Sequence, residues 1–536
     1  MNILFIMVDQ LRFDYLGCTG HPSIKTPNID ALAAQGVNFS QCYVQAPLCG
    51  PSRMSTYTGR YCHSHGATWN GTPLRVGEMT MGDHLRPLGM DTYLCGKTHA
   101  APDIAGMKRL GIDPQSTTGS RIAECGFDVW ERMDGEFPAG LPNLSSTYQD
   151  YLRDKGYESD NPWHDFANSG EDEDGNVLSG WKLSSSTQAA RIAKEDSETA
   201  WLTTRAMDFL SQANDDTPWC LHLSYIKPHW PYVAPAPYHN LYGIEDIKPV
   251  VRSNSELANS HPVLAAFQKK RVGKAFSRPE VRDAVIPAYM GLITEIDDQI
   301  GRLMSHLDSL ALRENTLIIF TSDHGDYLGD HWLGEKELFH DASSRVPLIV
   351  VDPSKDADAT RASVCDALVE AIDLAPTFVD YAGGAPRGEI LEGQSLRPLL
   401  RGINSSLHSY VISEYDYCFK AARKTLKQPI GDCRLAMLYD GRFKLMHAEG
   451  FRPLLFDLQK DPGEMNDLGE NPEYFETIQR LENQLNAWYR QHHNKTMTSD
   501  AEVFKRENGD LRRGIFLGFW DQADMDEAHR TGRTGN

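Results

Sequence analysis

Residues 2–8, Asn-Ile-Leu-Phe-Ile-Met-Val, form a near-continuous apolar run. A strand buried on one face alternates apolar and polar side chains. A run apolar at both parities has to be covered on both faces, as a central strand of a parallel sheet is. Residues 317–320 and 348–351 read the same way. Helical patterns lie between such runs: residues 286–307 place Ile293, Ile296, Ile300 and Leu303 at helical spacing. Apolar strands alternating with amphipathic helices predict an α/β sandwich on a large, mostly parallel central sheet.

A chain of 536 residues exceeds one simple core. Its character changes after Leu400-Arg401-Gly402, which places a first, larger domain over 1–402. Short strands follow at 410–413, 435–439 and 443–446. Then comes a helix opened by Asn471-Pro472, with Ile478, Leu481, Leu485 and Trp488 on one face. This reads as a smaller α/β domain over 403–495 with an antiparallel sheet. Residues 496–536 form a charged, loop-like tail, broken by the apolar cluster of Ile515, Phe516, Leu517, Phe519 and Trp520. Residues 101–195, rich in Gly, Ser, Asp and Pro, read as an irregular excursion over the active-site face. Within it, Glu171-Asp172-Glu173-Asp174-Gly175 lacks the spacing of an EF-hand and reads as a solvated loop.

The net charge of −21 argues against nucleic acid and anionic membranes as partners. It does not exclude a small anionic ester, because Arg53, Lys97, His99, His229 and Lys336 can supply a local positive field. No stretch approaches the ~20 apolar residues of a membrane span. The first apolar run is too short for a signal peptide and lacks a basic start. Ten cysteines without a C-x-x-C pair fit a reducing compartment, so a cytoplasmic location is expected.

Three short motifs carry chemistry. In Cys49-Gly50-Pro51-Ser52-Arg53, Pro51 suits the first turn of a helix, which puts Cys49 at its N-terminus and Arg53 on the same face. Free N–H groups and the positive dipole end there attract a sulfate or phosphate. Asp9-Gln10 ends the first strand, and Asp323-His324 follows the run at 317–320. Ligands of open α/β sheets gather beyond the carboxyl ends of the strands, so two acids at two such ends can converge on one cation.

The C-x-P-S-R pattern, followed by Thr58-Gly59-Arg60, resembles the signature of the type I sulfatases of the alkaline phosphatase superfamily. Further segments match: Ser322-Asp323-His324-Gly325-Asp326, Gly329-Asp330-His331, Lys336, Gly96-Lys97-Thr98-His99, Lys227-Pro228-His229-Trp230-Pro231, and Asp373-Leu374-Ala375-Pro376-Thr377. The stretch from Tyr225 to Tyr232, with Gly291-Leu292-Ile293-Thr294-Glu295-Ile296-Asp297-Asp298, is similar to the phosphonate monoester hydrolase and phosphodiesterase branch. Gln10, His324 and Asn70 also fit that branch. Lys97 and His99 are instead the sulfatase arrangement, where the phosphonate hydrolases carry neutral hydroxyl residues.

The resemblance implies an alkaline-phosphatase-like sandwich. It implies that a maturation enzyme oxidises Cys49 to formylglycine, whose hydrated aldehyde is the nucleophile. Asp9, Asp323, His324 and residue 49 are then ligands of one divalent metal, with Gln10 a ligand or a second-sphere donor. An imidazole ligand shifts preference toward Mn²⁺, with Ca²⁺ the alternative. Arg53 would orient residue 49, and Lys97 and Lys336 would hold non-bridging oxygens. His229 would be the general acid, His99 the base that releases product, and Asn70 a substrate contact. Sulfate monoester hydrolysis is the leading expectation and phosphonate monoester or phosphodiester hydrolysis the alternative. A homo-oligomer, dimer or tetramer, is expected through the tail.

Overall fold

The computed structural model describes residues 1–138, 146–213, 217–491, 496–506, 513–514 and 517–531. The strands are β1 (Asn2–Asp9), β2 (Val37–Tyr43), β3 (Asp91–Gly96), β4 (Asp128–Arg132), β5 (Ser169–Glu171), β6 (Val177–Ser179), β7 (Trp219–Pro228), β8 (Thr316–Ser322), β9 (Arg345–Val351), β10 (Ser363–Cys365) and β11 (Val369–Glu370). Among the described residues nine of them form one sheet in the order β10-β2-β9-β8-β1-β7-β3-β4, with β11 also on β2. β1 runs parallel to both β7 and β8, and β3 runs parallel to β7. Four adjacent parallel strands, β8-β1-β7-β3, therefore present their carboxyl ends side by side.

The expectation that residues 348–351 form a parallel strand is corrected. They lie in β9, which is antiparallel to both β8 and β2. A continuous apolar run reports burial on both faces and carries no information on direction.

β1 is buried throughout because its two faces feed two cores. Leu4, Ile6 and Val8 pack with helices Glu198–Gln212 and Pro279–Ser309. Ile3, Phe5 and Met7 pack with helices Cys49–Thr58 and Leu374–Tyr381. Burying each such large apolar side chain stabilises by about 1.5–3 kcal/mol, which fixes the strand whose end bears Asp9.

The excursion at 101–195 is more regular than its composition suggests. It supplies β4 at the sheet edge, the hairpin β5–β6 and the helices Ile104–Leu110, Thr117–Ala123 and Thr147–Asp154. The acidic run is the turn of that hairpin, where Asp172 accepts the Asn176 N–H at 2.8 Å.

A second, antiparallel sheet contains β12 (Val411–Asp416), β13 (Arg434–Tyr439), β14 (Phe443–Ala448) and β15 (Leu454–Asp457). Helix Phe475–Arg490 covers one face through Ile478, Leu481, Leu485 and Trp488, as its spacing requires. The other face packs on Tyr43, Leu48 and Phe339 of the larger unit. Buried Lys444 adds an ion pair to Glu464 at 2.7 Å.

The tail departs from the loop expected: Asp500–Arg506 and Gln522–Thr531 are helical. Leu517 and Trp520 are each 91% exposed, and Ile515 and Phe516 lie outside the described residues. Among the described residues no helix is long and apolar enough to cross a membrane.

Candidate active site and metal centre

Cys49 is the first residue of a ten-residue helix that is buried along its whole length. Leu48 enters it in an extended conformation, and Gly59, in the left-handed region at φ 65°, ends it. The Gly50 N–H donates to Asn70 Oδ1 at 2.8 Å. A Cβ at Gly50 would come 2.8 Å from that same oxygen. The glycine of the motif thus lets Asn70 satisfy one of the free N–H groups at the helix start, beside Cys49. Its own amide nitrogen remains available as a donor.

Asp9, Cys49, Asp323 and His324 converge, all buried, with their donor atoms within 4.8 Å of one another. Cys49 Sγ is 3.1 Å from His324 Nε2 and 3.8 Å from Asp9 Oδ1. His324 Nε2 is 3.7 Å from Asp9 Oδ1 and 3.8 Å from Asp323 Oδ1. The other ring nitrogen, Nδ1, faces the Gly325 carbonyl at 3.0 Å. A carbonyl only accepts, so Nδ1 carries a proton and Nε2 turns into the cluster. Metal–ligand bonds of about 2.0–2.6 Å leave donors up to about 4–5 Å apart across an ion. The residues present therefore fit a divalent cation in size and in donor chemistry.

Arg53, expected to orient residue 49, makes a set of contacts that the motif does not reveal. Its Nε donates to Asp323 Oδ2 at 2.7 Å, and Nη2 reaches Asp9 Oδ2 at 3.4 Å. Nη1 donates to the Lys97 carbonyl and to Ser224 Oγ, both at 2.7 Å. One fully buried guanidinium thus ties the carboxyl ends of β1, β8 and β3 to the middle of β7.

Lys97, just beyond β3, pairs with Asp9 Oδ2 at 2.7 Å. His99 follows, half-buried and at φ 55°, with its N–H on Asp134 Oδ1 at 3.3 Å. His229, just beyond β7, has Nδ1 2.9 Å from the Trp230 carbonyl. Burial alone would raise the pKa of the Cys49 thiol. Lys336, His324, Lys97 and His229 outweigh burial and hold it well below its ordinary value. Burial and Cys49 likewise push Asp9 up, but Lys97, His229 and Arg53 hold it below the usual carboxylate range. The centre sets Arg53, Lys97 and Lys336 against Asp9, Asp323 and Cys49, so its buried charges are largely matched.

Gln10 is in the left-handed region at φ 66°. Its Nε2 donates to Tyr232 Oη at 3.0 Å and to Asp326 Oδ2, which Tyr232 Oη also contacts at 2.6 Å. Its Oε1 accepts from Lys336 Nζ at 2.7 Å. Tyr289 Oη donates to the Gln10 carbonyl at 2.7 Å. Sequence reasoning missed Ser224, Tyr232, Tyr289 and the role of Asp326. Asp326 and Tyr232 stood within segments that carry the family resemblance; Ser224 and Tyr289 gave no signal. His65 contacts Ser55, and His331 stacks on His340 at 3.9 Å.

Comparison with known proteins identifies the family. The family model described as Sulfatase matches residues 1–385, and that of the N-sulphoglucosamine sulphohydrolase C-terminal region matches 329–491. The multifunctional alkaline phosphatase superfamily protein PehA of Trinickia caryophylli is 32% identical over 520 residues, 93% of this chain and 96% of that protein. An arylsulfatase of Clostridium perfringens is 29% identical over 499 residues, 90% of this chain and 92% of its own. The crystal structure of the phosphonate monoester hydrolase of Agrobacterium radiobacter superposes with a TM-score of 0.79 at 30% identity, covering 92% of this chain and 97% of that one. The chain belongs to the sulfatase family of the alkaline phosphatase superfamily and is a hydrolase of that superfamily's type.

Proposed function

We propose that the protein hydrolyses phosphonate monoesters and phosphodiesters, with residue 49 converted to formylglycine. The observation that carries this reading is the likeness to the Agrobacterium radiobacter phosphonate monoester hydrolase over more than nine-tenths of both chains. Sulfate monoesters are the second reading, favoured by Lys97 and His99 and by the likeness to an arylsulfatase.

Asp9, Asp323, His324 and residue 49 would hold one divalent ion, Mn²⁺ ahead of Ca²⁺ because an imidazole joins the set. Such an ion supplies Lewis acidity and relieves repulsion between an anionic ester and its nucleophile. The hydrated aldehyde at 49 supplies the attacking hydroxyl.

The protein's own groups do the rest. Arg53 keeps the two carboxylates apart and in place. Lys336 and Lys97 balance charge on the non-bridging oxygens. His229, with Nδ1 turned to the Trp230 carbonyl, offers a proton from Nε2 to the leaving oxygen. Asn70, its Oδ1 taken by Gly50, offers an N–H to the substrate. His99 accepts the proton whose loss restores the aldehyde.

The test uses protein co-expressed with a formylglycine-generating enzyme. Mass spectrometry of the Cys49 peptide should show sulfur lost and a carbonyl reactive with hydrazine, and only this form should hydrolyse a phosphonate monoester. Full activity with the Cys49 thiol intact would overturn the reading.

A further inference from the structure

Beyond the reacting centre, a set of aromatic rings has no role in the steps above. Trp230 directly follows His229, and their rings lie 4.2 Å apart. Lys336 Nζ is 5.9 Å from the centre of the Trp230 ring. Trp181 meets Trp230 edge-on at 5.5 Å and 61°. It lies just past β6, on the hairpin of the long excursion, and is backed by Trp163 at 6.0 Å.

One feature is unusual for a purely structural pair. Trp181 remains 36% exposed, although it packs against two other tryptophans. A scaffold pair would close over that face, whereas a seat for a ligand leaves it open.

The position says which part of the ligand. An ester oxygen held between His229 and Lys336 has its substituent beside Trp230. We infer that Trp230 and Trp181 seat the leaving group, and that the preferred ester carries an aromatic leaving group. This rests on the assignment of His229 and Lys336 to the reacting oxygens.

The test compares phenyl and hexafluoroisopropyl esters of one phosphonate, whose leaving groups have similar acidity, so that stacking rather than bond strength separates them. The phenyl ester should have the higher kcat/KM. Trp181→Ala should lower the phenyl-to-alkyl ratio about tenfold, the size of one good aromatic contact, while Trp181→Phe keeps it. An equal loss on both esters, or a wild-type ratio near one, overturns the inference. If phosphonates are not turned over but sulfates are, the proposed function fails. The same ratio read on phenyl and alkyl sulfates then decides the leaving-group seat separately.

Discussion

Gln10 gives its side-chain carbonyl to Lys336: Oε1 accepts from Nζ at 2.7 Å, while its amide nitrogen is held by Tyr232 and Asp326. The arrangement sets where the lysine charge stands over the centre. It bears on the two roles that the sequence left open for Gln10, and we expect the second-sphere role. Gln10→Ala should retain bound metal and lose about 10- to 100-fold in kcat, the range for removing a group that orients a functional one. Loss of metal to the extent seen for a direct ligand would make Gln10 a ligand instead.

Asp323 serves both the cation site and Arg53. Asp323→Ala should abolish metal binding and turnover together, as metal analysis and assay would show. It should also destabilise the fold by about 3–5 kcal/mol, because Arg53 is left buried without its main partner. Undiminished metal content in this variant would show that the ligand set is wrong.

Away from the centre, His408 Nε2 lies 2.9 Å from Asp373 Oδ2. Burial lowers its pKa, but the charge and hydrogen bond of Asp373, with Glu370, reverse this and raise it from 6.5 to about 9. A group raised on folding stabilises fully below its unfolded pKa and stops doing so as pH rises through the folded one. The pair should therefore contribute on the order of 3 kcal/mol below about pH 6.5 and nothing above about pH 9. Thermal unfolding of wild type and His408→Gln across this range checks it. The gap in Tm should be widest at the acid end and close toward pH 9, and a constant gap would contradict it.

The tail exposes Leu517 and Trp520 almost completely on the single chain. We expect a homo-oligomer in which these side chains are buried on a neighbour. Removing residues after 505 should lower the mass seen by light scattering without changing the unfolding of the core. A full-length monomer, or an oligomer that survives the truncation, would contradict this.

Much of this was legible in the sequence because strand ends are fixed by apolar runs. The run at 2–8 places Asp9, and the run at 317–320 places Asp323 and His324; parallel pairing then brings them together without further information. Strand direction was not legible: β9 and β1 have the same apolar character, and only the connection between β8 and β9 decides that β9 turns back. The partners of Arg53 were also hidden. Its motif fixes the face of the helix that bears it, whereas Ser224 and the Lys97 carbonyl arrive from other strands. The hydroxyls of Tyr232 and Tyr289 look like ordinary core tyrosines until the fold turns them toward Gln10.

The central claim concerns which ester the centre turns over, and Lys97 and His99 are where it is most exposed. The most direct measurement is kcat/KM for an aryl phosphonate monoester and an aryl sulfate with the same leaving group, using protein whose residue 49 is shown to be formylglycine. The expected result is a higher value for the phosphonate, and a larger loss on sulfate than on phosphonate when Lys97 and His99 are both replaced by neutral hydroxyl residues. A higher value for the sulfate in the wild-type protein would contradict the account and make this chain a sulfatase in activity as well as in family.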